Sequence, residues 1–64
     1  MNKVREIRKM RGLTQIQLSE KANISQAYLC DLEKNRRGAK PDTFQRIADA
    51  LDVSVNELVD QEVV

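Results

Sequence analysis

Leu13-Thr14-Gln15-Ile16-Gln17-Leu18 and Ile24-Ser25-Gln26-Ala27-Tyr28-Leu29 decide how this chain folds. Each stretch opens with an apolar residue followed by a hydroxyl residue. Thr14 can accept from the backbone N–H of Gln17 while the Gln17 side chain reaches back to Thr14, which makes a capping box. Leu13 and Leu18 stand where a hydrophobic staple fixes the angle at which the chain joins the helix. Ser25 repeats the cap, with Ile24 and Leu29 as its staple. The two signals predict a pair of short helices joined by a tight turn at Ala22-Asn23-Ile24. Asn23 suits the left-handed position that residues other than glycine rarely accept.

Working outward, Asn2 can cap a first helix over about Lys3 to Arg11, with Val4, Ile7 and Met10 inward and Gly12 as its stop. The second helix, about Gln15 to Ala22, turns Leu18, Ser19 and Ala22 inward. The third runs from about Gln26 to Lys34. A basic loop, Asn35-Arg36-Arg37-Gly38-Ala39-Lys40, follows and is closed by Pro41 in the favoured first helical position. The fourth helix, about Pro41 to Leu51, carries Phe44, Ile47, Ala48 and Leu51 at i, i+3, i+4 and i+7. Val53-Ser54-Val55-Asn56-Glu57-Leu58 starts a fifth with one more box and staple. There is no period-2 run and no Asn-Gly hairpin. The expectation is an all-α, compact five-helix bundle forming one domain over residues 1–64, with core helices at about 3–59 and a tail at 60–64.

With 64 residues, the chain hides only about 60% of its unfolded surface. Tyr28 and Phe44 are its aromatics, so the core must be aliphatic. No apolar run approaches the roughly 18 residues of a membrane span, and no signal peptide is visible. Cys30 stands alone, which fits a reducing cytoplasm and excludes an internal disulfide. Residues 1–38 hold nine Lys/Arg against four Asp/Glu, a net of +5, whereas residues 39–64 hold two against six, a net of −4. That division suggests one face built for a polyanion and another kept away from it.

The third helix carries the functional expectation. With about 100° per residue, Leu29 and Leu32 define an inward side and Ala27 and Lys34 the centre of the opposite one. Cys30 and Asp31 flank that outer face and Gln26 lies at its edge. Small or hydrogen-bonding groups near the N-terminal end let such a helix approach base edges. Gln26 can pair bidentately with adenine, Ala27 can touch a thymine methyl, and Asp31 can accept from cytosine N4. Tyr28 lies between the two faces, where its ring can pack and its hydroxyl reach a phosphate. The N-termini at Gln15 and Gln26 favour anions. Ser25, Cys30, Lys34, Asn35, Arg36, Arg37 and Lys40 surround them as phosphate or flanking positions. Two helices across a short turn, the second in the major groove, is the helix-turn-helix layout.

From Ile7-Arg8 to Leu58 the sequence resembles the phage-repressor and Cro-like helix-turn-helix family, the xenobiotic-response-element type. The matching residues are Arg8, Gly12-Leu13-Thr14-Gln15, Leu18, Ile24-Ser25, Leu29, Leu32-Glu33, Ile47-Ala48-Asp49-Ala50-Leu51 and Val53-Ser54-Val55-Asn56-Glu57-Leu58. The resemblance implies that Gln15 contacts phosphate and that Gln26, Ala27 and Asp31 read bases. It also implies an ion pair between Arg8 and Glu33. Asn23 and Asn35 stand where the family favours glycine.

The expected function is sequence-specific binding of double-stranded DNA by a repressor-type transcriptional regulator. The alternative is a protein-interaction module, such as an antitoxin-like partner, whose DNA contact is secondary. Neither catalysis nor a cofactor or metal is expected: the chain has no His, no cysteine cluster and no phosphate loop. A single recognition helix reads few base pairs, so a homodimer on a palindromic operator is expected. Val55, Leu58, Val59 and Val63 offer a possible two-fold surface, although Val55 and Leu58 can equally finish the monomer's own core.

Overall fold

The computed structural model describes residues 2–59. Five helices follow in order: α1 Val4–Met10, α2 Gln15–Ala22, α3 Gln26–Glu33, α4 Pro41–Leu51 and α5 Val55–Leu58. Helix α4 packs mainly across α2, α2 leans on α3, and α1 closes the bundle over α3 and α4. Val4, Leu18, Ala22, Leu29, Leu32, Ile47, Ala48, Leu51 and Leu58 form the buried core. Of the apolar positions the helical periods single out, Val4, Leu18, Ala22, Leu29, Leu32, Ile47, Ala48 and Leu51 are in this set, while Ile7 and Phe44 are half-buried at its edge. Thr43, which those periods do not single out, is also buried.

The caps set the boundaries. Thr14 Oγ1 accepts from Gln17 N at 3.1 Å, and Gln17 Oε1 accepts from Thr14 N at 2.8 Å, so the α2 box is complete. Ser25 Oγ accepts from Tyr28 N at 3.0 Å at the start of α3. At α5 the Glu57 carboxylate accepts from Ser54 N at 2.8 Å.

Four helices end in the same way. Gly12, Asn23, Asn35 and Asp52 adopt left-handed φ of 71°, 57°, 59° and 58°. The residue after each donates its N–H to the carbonyl five positions back. These bonds are Leu13 to Arg8 (3.1 Å), Ile24 to Ser19 (3.0 Å), Arg36 to Asp31 (2.9 Å) and Val53 to Ala48 (3.0 Å). That pattern satisfies carbonyls a helix end would otherwise leave bare. In three corners the next two residues are an apolar side chain tucked against the core and a capping Ser or Thr: Leu13-Thr14, Ile24-Ser25 and Val53-Ser54.

Two readings of the sequence are corrected. Met10 is not inward but 82% exposed. Three-residue steps from Val4 to Ile7 to Met10 drift about 60° each around the helix, and Arg8, four residues after Val4, takes the inner place instead. Leu58 is not spare dimer surface: its side chain is fully buried and completes the monomer core. Val55 and Val59 remain half-buried, and Val63 lies outside the described residues.

The first and last described residues meet. Lys3 N donates to Leu58 O at 2.7 Å, and Asn2 pairs with Val59 in a single antiparallel bridge. The Asn2 amide donates to Leu32 O at 2.9 Å, tying this seam to the end of α3, while its Oδ1 accepts from Val4 N at 3.1 Å.

Candidate nucleic-acid interface

The interface is built on a buried charge pair. Arg8 Nε and Nη2 donate to Glu33 Oε2 and Oε1 at 2.8 and 3.1 Å, a two-pronged contact from α1 to α3. Their side chains are 10% and 3% exposed. Arg8 Nη1 also donates to Leu13 O at 2.9 Å, so one guanidinium binds α1, the first corner and α3 together. Burial makes losing either partner costly, because the other charge is then left in the interior uncompensated.

From Glu33 the order passes outward to the surface. Its carboxylate can only accept, so the Gln15 group facing it is the amide nitrogen, Nε2 to Oε1 at 3.3 Å. Gln15 Oε1 is thereby turned toward Gln26, whose Nε2 donates to it at 3.4 Å. The second Nε2 hydrogen and the oxygen of Gln26 stay available for another partner. An amide presented in that orientation matches the acceptor and donor of an adenine edge. This connection runs Arg8–Glu33–Gln15–Gln26. The resemblance implied only its first link.

Ser25, Gln26 and Ala27 are exposed at the start of α3, while Cys30 and Asp31 are half-buried along it. Leu29 and Leu32 turn fully inward, as the helical period requires. Gln26 and Ala27 therefore stand together on the outer face, with Asp31 one turn further along and more enclosed. The caps of α2 and α3 occupy the N–H groups of Thr14, Gln17 and Tyr28. The first two N–H groups of each helix remain directed outward with the positive end of its dipole.

Around this face lie the cations. Arg5, Arg8, Gln15, Cys30, Glu33 and Lys34 line a cleft of about 350 Å³ between α1, α2 and α3. Arg5 did not stand out in the sequence, yet it lies three residues before Arg8 and so shares that side of α1. Lys34, Asn35, Arg36, Arg37 and Lys40 are all exposed, and the Arg37 guanidinium lies over the Tyr28 ring, 5.6 Å from its centre.

Comparison with known proteins places this geometry. The Helix-turn-helix family model matches residues 4–58. The chain belongs to the helix-turn-helix family. It is 43% identical over 60 residues to the immunity repressor protein of Bacillus phage phi105, covering 94% of this chain and 42% of that repressor. This chain thus spans less than half the length of the phage protein. The N-terminal DNA binding domain of SinR from Bacillus subtilis superposes with a TM-score of 0.84 at 30% identity, over 94% of this chain and 88% of that one. The restriction-modification controller protein C.AhdI from Aeromonas hydrophila gives a TM-score of 0.84 at 27% identity, over 86% and 83% of the two chains. The fold is that of a helix-turn-helix DNA-binding domain. Among the described residues no helix is long and apolar enough to cross a membrane, and no His/Cys/Asp/Glu group could hold a metal ion.

Proposed function

We propose that this chain is the DNA-reading domain of a transcriptional regulator of the repressor type, with α3 in the major groove of double-stranded DNA. The observation that carries this reading is the ordered Gln15–Gln26 pair at the exposed start of α3, fixed from behind by the buried Arg8–Glu33 pair. Gln26 and Ala27 meet base edges, and Asp31 accepts from a cytosine amine further along. Gln15, Ser25 and the outward N–H groups of both helices hold phosphates and set the register. Lys34, Arg36, Arg37 and Lys40 supply the salt-dependent attraction. Cytoplasmic residence follows from that role.

Because α3 offers about two turns, one copy reads a short half-site, and two copies on a palindromic operator supply the rest. With Leu58 in the core, Val55 and Val59 are the candidates left among the described residues for a contact between copies, which supports weak pairing in the absence of DNA. Sedimentation of the free protein at micromolar concentration should give a monomer.

Selection of bound sites from random duplex DNA tests the reading directly. An inverted repeat with half-sites about 10 base pairs apart, centre to centre, is expected. Gln26→Ala should weaken binding to the selected site by about 1–3 kcal/mol and relax preference at one position. Failure to enrich any sequence, with binding equally strong to all duplexes, would rule it out.

A further inference from the structure

We infer that Tyr28 is a positioning residue: its ring holds the Arg37 guanidinium against the flank of α3 and so turns the basic loop into a preformed phosphate grip. The inference rests on the DNA-reading function proposed above and specifies how its loop is deployed.

The geometry singles out this pair. The loop leaves α3 through the left-handed Asn35, and the Arg36 N–H on Asp31 O at 2.9 Å turns the chain back along the helix it has just left. Asn2 reinforces the reversal by donating to Asn35 Oδ1 at 3.3 Å. At the far side Ala39 packs on the core and Pro41 begins α4. Among the described residues, positions 37–39 make no backbone–backbone hydrogen bond. The contact that fastens this arch to α3 is Arg37 over Tyr28. Left unfastened, a chain containing Gly38 would sample many directions and its cations would be ordered only on binding.

Tyr28 is suited to the task by its place on the helix. It lies between the buried Leu29/Leu32 side and the outer Ala27/Asp31 side, and is itself half-buried. Its ring packs against the edge of the core while the Arg37 guanidinium lies over it. A guanidinium within about 6 Å of such a face is attracted to it, and stacking leaves the edge N–H groups free for an oxyanion. The contact therefore holds Arg37 beside the base-reading face without using a hydrogen bond to do so.

The test uses Tyr28→Phe, Tyr28→Leu, Arg37→Ala and the double variant Y28L/R37A, with affinity for the selected duplex measured from about 50 to 200 mM salt. Tyr28→Phe keeps the ring and should keep the Arg37 contribution to the salt slope, since a neutral hydroxyl on a phosphate releases no counterion. Arg37→Ala should lower the slope by about 0.9, the value for one phosphate contact. Tyr28→Leu keeps apolar bulk but loses the ring face, so the loss should approach that of Arg37→Ala, with little added in the double variant. Equal losses in Tyr28→Phe and Tyr28→Leu would overturn the inference, because the hydroxyl would then be the contact. Full additivity in the double variant would overturn it as well. A measurement without DNA separates this failure from failure of the function. The Arg37 side-chain protons should show an upfield ring-current shift in the NMR spectrum of the free protein, retained in Tyr28→Phe and lost in Tyr28→Leu. Thermal unfolding confirms that each variant is folded.

Discussion

Three corners of this bundle and the fourth begin alike and end differently. After Gly12, Asn23 and Asp52 the chain places Leu13, Ile24 or Val53 against the core and caps the next helix at once. After Asn35 it uses the same left-handed turn and the same hydrogen bond, but the residue that follows is Arg36, which faces solvent. A charged side chain cannot serve as a staple, so the chain leaves the core and runs on to Lys40 before α4 begins. Apolar corners consume their side chains in stability. The basic corner keeps its side chains for something outside the molecule.

The largest effect is expected where the two kinds of corner are joined. Arg8 holds Leu13 O at one corner and Glu33 just before the other. Glu33→Ala should destabilise the fold by about 3–5 kcal/mol, because it leaves a buried guanidinium without its counter-ion. The double change Arg8→Met with Glu33→Leu should cost much less in denaturant unfolding, and parity between the two variants would show that the charge pair is not the joint.

Next comes the staple itself. Ile24→Ala should cost about 1–2 kcal/mol, below the roughly 2–5 kcal/mol of a fully buried site because Ile24 is half-buried. Arg36→Ala, at the equivalent place in the fourth corner, should stay within about 0.5 kcal/mol of the parent. It should nevertheless reduce the salt slope of duplex binding by about one. If Arg36→Ala unfolds the domain as readily as Ile24→Ala does, the contrast between corners is wrong.

A further pair of changes sharpens the likeness instead. Asn23→Ala and Asn35→Ala should each cost about 1 kcal/mol, since alanine resists a left-handed φ that asparagine tolerates. Glycine at either position should be neutral or slightly stabilising. A penalty at Asn23 alone would mean that the basic corner does not hold its turn in solution.

What could be read in the sequence follows the same division. The limits of α2 and α4 coincide with the expected ones because caps, staples and Pro41 are local signals confined to a few neighbouring residues. Asn23 was recognisable as a left-handed turn, and Asp52 was not, although it performs the same job at the end of α4. Met10 is apolar yet faces out, because on a helix of 7 residues its angle, not its apolarity, decides its side. The outer face of α3 was legible from its period, yet the links from Glu33 to Gln15 and from Tyr28 to Arg37 depend on how separate helices and a loop come together. No spacing announces them. The pairing of Asn2 with Val59 joins residues at opposite ends of the described chain and leaves no periodic trace at all.

That seam has a consequence for how the domain comes apart. A helix of 4 residues would ordinarily fray, and the residues before α1 would fray independently of it. Here the Lys3 amide is anchored on Leu58 and Asn2 grips the last turn of α3. Opening residues 2–4 therefore costs the contacts that hold α5, so the two segments should open together, like the clasp of a girdle. Hydrogen–deuterium exchange at the Lys3 amide should accordingly be as slow as in the middle of α4.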